Sequence, residues 1–152
     1  MTMFKAAAIQ MRSGVEPAAN AAALRELVRE AAATGASYVQ TPEMTGMVER
    51  DRIALFSRLK SEQSDPILAA ARELALAHSI FLHIGSTAIL LPDGKVANRA
   101  FLFGPDGGLI ATYDKIHMFD VDLDKGESWR ESATYEPGTK AVVTTLPFAK
   151  LG

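Results

Sequence analysis

Apolar residues along this chain fall into two kinds of run: short uninterrupted blocks, and longer stretches whose period is that of a helix. Residues 4–11 form the first block, with Ala7, Ala8, Ile9 and Met11 in it, and read as a buried strand ended by the turn chemistry of Arg12-Ser13-Gly14. Over residues 16–34 the period changes. Leu24, Leu27, Val28 and Ala31 fall on one helical face, Arg25, Glu26, Arg29 and Glu30 on the other, and Gly35 stands where a left-handed cap ends a helix. Residues 38–41 make a second short strand closed by Pro42. Strand, helix and strand in this order predict a parallel βαβ unit with its helix packed on one face of the sheet.

A second helix is marked by Asp65 as cap, Pro66 in its first turn, and an apolar stripe of Ile67, Leu68, Ala71, Leu74 and Ala75. It leads into the strand-like residues 81–88. Beyond that, connections shorten: Pro92-Asp93-Gly94 and Pro105-Asp106-Gly107 are turn signals on either side of the β-rich residues 96–103. Residues 81–113 are therefore expected to hold three strands ending in an antiparallel meander. Residues 115–138 show little period of either kind and read as a long loop, functional or disordered, and residues 139–146 as one more strand before Pro147. The expected fold class is α/β: one domain over residues 1–152, a mixed sheet with helices on one face.

Composition narrows the class without naming a reaction. The 152 residues are 48% hydrophobic and 22% charged, the mix of a globular domain, which excludes disordered and fibrous chains. Sixteen Lys and Arg against eighteen Asp and Glu leave a net charge of -2, which gives no electrostatic pull toward nucleic acid or an anionic membrane. No apolar run approaches the about 18 residues of a membrane span, and the early apolar run of residues 6–9, followed by Gln10 and Arg12, is too short for a signal-peptide core. A cytoplasmic location is expected. There is no cysteine, so disulfides, thiolate zinc sites and a cysteine nucleophile are excluded within these residues.

In open α/β sheets, reactive groups gather at the carboxyl ends of strands. Glu43 follows the strand at residues 38–41 across Pro42, and Lys115 follows the strand at residues 109–113. Such a pair can act as a general base and as a fixed positive charge for an oxyanion. By position alone such residues are several times more often solvated surface groups or members of an ion pair. His78, His83 and His117 have no regular ligand spacing and read as structural rather than metal-binding. Gly85-Ser86-Thr87 lacks the Gly-x-Ser-x-Gly elbow, and neither Gly94-Lys95-Val96 nor residues 104–108 complete a phosphate loop. Trp129, the single tryptophan, either lines a pocket or anchors the long loop.

Several motifs together resemble the nitrilase superfamily of carbon–nitrogen hydrolases. Ala7-Ala8-Ile9-Gln10-Met11 is similar to its opening strand, Thr41-Pro42-Glu43 to its Glu motif, and Tyr113-Asp114-Lys115-Ile116-His117-Met118-Phe119-Asp120 to its Lys motif. Asn98-Arg99-Ala100, Gly107-Gly108-Leu109-Ile110, Glu127-Ser128-Trp129-Arg130-Glu131-Ser132 and Pro137-Gly138 follow in family order. The Lys motif and the loop after it look most like the Nit-type, omega-amidase branch. The resemblance implies a four-layer α-β-β-α sandwich of which this chain supplies the N-terminal half. It implies Glu43 as general base, Lys115 as oxyanion stabiliser, Glu131 as a second, supporting glutamate, and residues 115–138 as an active-site wall.

The same resemblance implies a cysteine nucleophile, a small amide or nitrile as substrate, and no metal or organic cofactor. In the family the cysteine lies on the strand that follows a segment similar to Leu146-Pro147-Phe148-Ala149-Lys150-Leu151-Gly152, and the sequence ends there. The expectation is a truncated hydrolase, inactive alone, that associates as a homo-oligomer or with a complementing C-terminal half. The alternative is a half-length, non-catalytic binding or oligomerisation partner.

Overall fold

The computed structural model describes residues 3–124 and 126–152. Its frame is a five-stranded sheet of β1 (Ala6–Ala8), β2 (Tyr38–Gln40), β3 (Phe81–Leu90), β4 (Val96–Phe103) and β5 (Leu109–Asp114), ordered in space as in sequence. β1, β2 and β3 run parallel; β4 and β5 turn back antiparallel. Connection length decides this. The first two crossovers hold α1 (Pro17–Ala33), and α2 (Arg52–Arg58) with α3 (Pro66–His78). The two Pro-Asp-Gly connections have room only for tight turns.

α1 and α3 lie on one face of the sheet, as the expected right-handed βαβ geometry requires. α3 begins where the Asp65 carboxylate accepts hydrogen bonds from the backbone N–H groups of Ile67 and Leu68 at 2.8 and 3.0 Å. Leu24 and Val28 of α1, with Ile67, Ala71 and Leu74 of α3, bury against Val39, Leu82, Ile84, Phe101 and Phe103. The opposite face is covered in part by β8 (Thr144–Thr145) and β9 (Lys150–Leu151), an antiparallel hairpin. Leu146 of its turn packs on Tyr38 and Leu102. Phe148 stacks on Phe4, with ring centroids 4.2 Å apart, and meets Phe81 edge-on at 5.4 Å.

Three expectations are changed. The strand expected over residues 139–146 is reduced to Thr144–Thr145, because Pro147 and the Leu146 N–H bonded to the Ala149 carbonyl fold the chain back at once. Residues 139–143 have strand-like composition but no ladder partner among the described residues, and propensity without pairing makes no strand. The long loop carries a hairpin, β6 (Asp120–Asp122) with β7 (Ser128–Arg130), followed by a 3-10 turn at Glu131–Ala133. The first strand is paired only over Ala6–Ala8 of the expected residues 4–11. α2, capped by Asp51 accepting from the Ala54 N–H, had no counterpart in the apolar pattern.

β3 is irregular where it matters. Its pairing with β4 slips between Ile84 and Thr87, and this bulge receives the chain leaving β2. The Thr41 N–H donates to the His83 carbonyl, the Gly85 N–H to the Thr41 hydroxyl, and the Thr45 N–H to the Ser86 carbonyl. A Cβ on residue 85 would lie 2.2 Å from the Thr41 carbonyl oxygen and 2.7 Å from that of Pro42, both immovable backbone atoms. Gly85→Ala is accordingly expected to destabilise the fold by about 1–3 kcal/mol. Thermal unfolding followed by circular dichroism should show a lowered midpoint; an unchanged midpoint would mean that the two segments are not held this tightly.

Candidate active site

Three segments distant in sequence meet beside that bulge. Glu43 lies in the turn after β2. Met44 has φ of +55°, a left-handed conformation that is unusual for a side chain of this size. Its N–H donates to the Ser86 hydroxyl at 2.9 Å, and Thr45 is wholly buried, with its hydroxyl 2.8 Å from the Pro42 carbonyl oxygen. Glu43 is thus presented from a turn fixed at both ends. Lys115 leaves β5, and its N–H donates to the Asn98 carbonyl on β4, which continues the β4–β5 ladder by one more bond. Glu131 opens the 3-10 turn after β7.

The three side chains predicted as site residues converge. The Lys115 ammonium Nζ lies 3.0 Å from Oε1 of Glu43, and 3.1 and 2.8 Å from Oε1 and Oε2 of Glu131. The two glutamates differ in their surroundings. Glu131 is 13% exposed and both of its oxygens are occupied, Oε2 also accepting the Phe119 N–H at 2.6 Å. Glu43 is 57% exposed. Its Oε1 accepts from Lys115 and from Nδ2 of Asn98, and no hydrogen bond among the described residues reaches its Oε2. Glu43 lines a cavity of about 350 Å³ together with Thr41, Pro42, Ser86, Asn98, Tyr113 and Lys115.

Charge follows from this arrangement. Desolvation pulls the Lys115 pKa down, but the hydrogen bonds and charges of Glu131 and Glu43 outweigh it, so the ammonium is held above its ordinary value of 10.5. Desolvation likewise pushes the Glu131 carboxyl up, and the bonds from Lys115, the Phe119 N–H and Asn98 bring it below 4.5. Tyr135, buried beside the site, has its phenol pushed up to about 12 by burial and then by the two glutamate charges. Lys115 is a cation and Glu131 a carboxylate at neutral pH.

Asn98 was visible in the sequence only as part of a matching motif, with no role of its own. It is 2% exposed, and its Nδ2 donates to Glu43 and Glu131 at 2.8 and 3.2 Å. Its Oδ1 is buried and has no hydrogen-bond partner among the described residues, which costs about 1–3 kcal/mol. An asparagine beside Arg99 in a strand whose other residues are apolar was the available signal. Trp129 is not among the residues lining this cavity; the Arg50 guanidinium lies over its ring at 4.9 Å and ties the β6–β7 hairpin to the segment before α2. His83 bonds the Tyr38 hydroxyl at 2.8 Å, and burial holds its pKa below the usual histidine value. Among the described residues no three His, Asp or Glu side chains are placed to share a metal ion.

A family profile described as carbon-nitrogen hydrolase matches residues 5–152. Omega-amidase NIT2 of Homo sapiens is 31% identical over 154 residues, covering 100% of this chain and 54% of that enzyme. The solved NitFhit protein of C. elegans superposes with a TM-score of 0.77 at 23% identity, covering 89% of this chain and 33% of that one. A mutant amidase of Nesterenkonia sp. AN1, carrying acrylamide added at its active-site cysteine, gives 0.76 at 20% identity, with 95% of this chain and 54% of that one covered. The chain spans about half the length of the curated relatives it matches. The solved structures establish the nitrilase-type fold of the sheet and its helices.

The Lys115 cluster should leave a mark on stability. A carboxyl depressed in the folded state stabilises it fully above its unfolded value and loses that contribution as pH falls through the folded value; a raised ammonium does so below its own unfolded value and loses it on the alkaline side. The stability difference between the parent chain and Glu131→Gln should therefore be flat between about pH 4.5 and about pH 10.5 and shrink below that window. For Lys115→Met it should shrink above about pH 10.5. Urea titrations across this range measure both, and differences independent of pH would contradict the charge assignment.

Proposed function

The chain belongs to the carbon–nitrogen hydrolase family, and on that premise we propose that it carries the acid–base and oxyanion-stabilising part of an amidase site for small, non-peptide amides. The observation that carries this reading is the asymmetry of the two glutamates. Glu43 keeps one oxygen unoccupied on a cavity wall, the requirement for a general base. Glu131 has both oxygens engaged and is fitted to hold Lys115 in place.

In the proposed cycle, Oε2 of Glu43 takes the proton of a cysteine thiol, and the thiolate attacks the amide carbonyl carbon. The carbonyl electron pair moves to oxygen, where the Lys115 ammonium meets the developing negative charge. Collapse of the tetrahedral adduct breaks the C–N bond, and the proton held on Glu43 leaves with the ammonia or amine. Glu43 then takes a proton from water as it attacks the thioester and passes that proton to the departing thiolate, so that the acid is released and the thiol and the Glu43 carboxylate are restored. The sequence holds no cysteine, so the thiol in this scheme comes from polypeptide beyond these 152 residues. That the Nesterenkonia amidase has an active-site cysteine supports this. Similarity to an omega-amidase favours small ω-amides of keto or amino acids as substrates.

Ammonia release from a small ω-amide tests the scheme. In the natural gene product, Lys115→Ala and Glu43→Gln are each expected to lower kcat/KM by about 10²–10³. The 152-residue polypeptide by itself, lacking any thiol, should release none above background. Full turnover in Lys115→Ala would overturn the proposed mechanism.

A further inference from the structure

We infer that Asn98 is a positioning residue that decides which oxygen of Glu43 is left to react. The inference rests on Glu43 being the base, as proposed above, and goes beyond it in assigning the origin of that carboxylate's orientation.

Lys115 alone does not set this orientation. Its ammonium makes two contacts with Glu131 and a single contact with Glu43, and one point contact leaves a half-exposed carboxylate free to rotate about its own axis. The second contact comes from Asn98, whose Nδ2 reaches the same Oε1 at 2.8 Å. With both donors on Oε1, Oε2 is directed away from them. The other hydrogen of the same amide goes to Oε1 of Glu131 at 3.2 Å. One planar NH2 group therefore bridges two like charges, and its fixed geometry sets their separation.

The buried, unpartnered Oδ1 of Asn98 points the same way. An apolar side chain of equal size would leave no orphaned carbonyl inside the sheet, so packing alone does not favour asparagine here. Reversing the amide would give Oδ1 no relief, since it would then face two carboxylates. Asn98 is itself held firmly: its carbonyl accepts the Lys115 N–H. On β4 it is followed by Arg99, whose guanidinium bonds Asp114 and Glu62. The donor is thus built into the rung of the ladder that also delivers Lys115.

The test joins a spectroscopic readout to a kinetic one in the natural gene product. In nitrogen-15 spectra the two Asn98 side-chain protons are expected downfield of a free amide, with one moved back by Glu43→Gln and the other by Glu131→Gln. Protons at free-amide positions, or insensitive to both changes, would overturn the inference whether or not the protein is active. Asn98→Ala, and Asn98→Asp as an isosteric second variant should the first not fold, are expected to lower kcat by about 10- to 100-fold while KM stays within about twofold. Unchanged kcat would overturn it, as would a loss expressed in KM alone. A parent protein without hydrolase activity would refute the amidase reading, and the amide spectra would still decide the bridging role of Asn98.

Discussion

One ammonium group between two carboxylates organises this molecule's chemistry. Lys115 draws together the turn after β2, the exit of β5 and the 3-10 turn after β7, segments that share no local contact in sequence. Two glutamates at such close quarters would repel each other without the cation between them. The remainder of the structure serves to make the meeting repeatable. The β3 bulge seats the Glu43 turn, the β4–β5 ladder fixes Lys115, and the Phe119 N–H fixes Glu131. Ion pairs on protein surfaces contribute little; this one matters because three rigid supports aim it.

The parallel half of the sheet and its meander were legible because their signals are local. Pro-Asp-Gly turns, the Asp65-Pro66 start and the alternation of apolar runs each act within a few residues. Glu43 and Lys115 could be singled out since both follow strands. Glu131 came only through family resemblance, for a 3-10 turn inside an aperiodic segment carries no pattern of its own. Asn98 stayed without a role, because its partner Glu43 lies 55 residues away and a strand pattern shows burial but not what a buried amide meets. The β6–β7 hairpin was hidden for another reason. It is held by polar pairs, Arg130 with Asp122 and Ser132 with Asp120, rather than by an apolar stripe.

Family membership and geometry speak to different levels. The match over residues 5–152 fixes the lineage, and the superpositions fix the fold. Neither distinguishes two glutamates that are chemically alike. Their surroundings do: Glu131 is enclosed and bonded at both oxygens, and Glu43 stands at the cavity with one oxygen open among the described residues. The zero cysteine count, first a statement about disulfides and zinc, becomes a statement about which part of a reaction these residues can perform.

The close approach of Gly85 to the Thr41 and Pro42 carbonyls has an evolutionary consequence. Backbone packed on backbone offers no side chain for selection to resize, so the position of Glu43 cannot drift by small steps. The β6–β7 hairpin and the segment before α2, joined through Trp129 and Arg50, are under no such restriction. In a lineage built this way, change would collect in the surrounding segments while Glu43 stayed where it is.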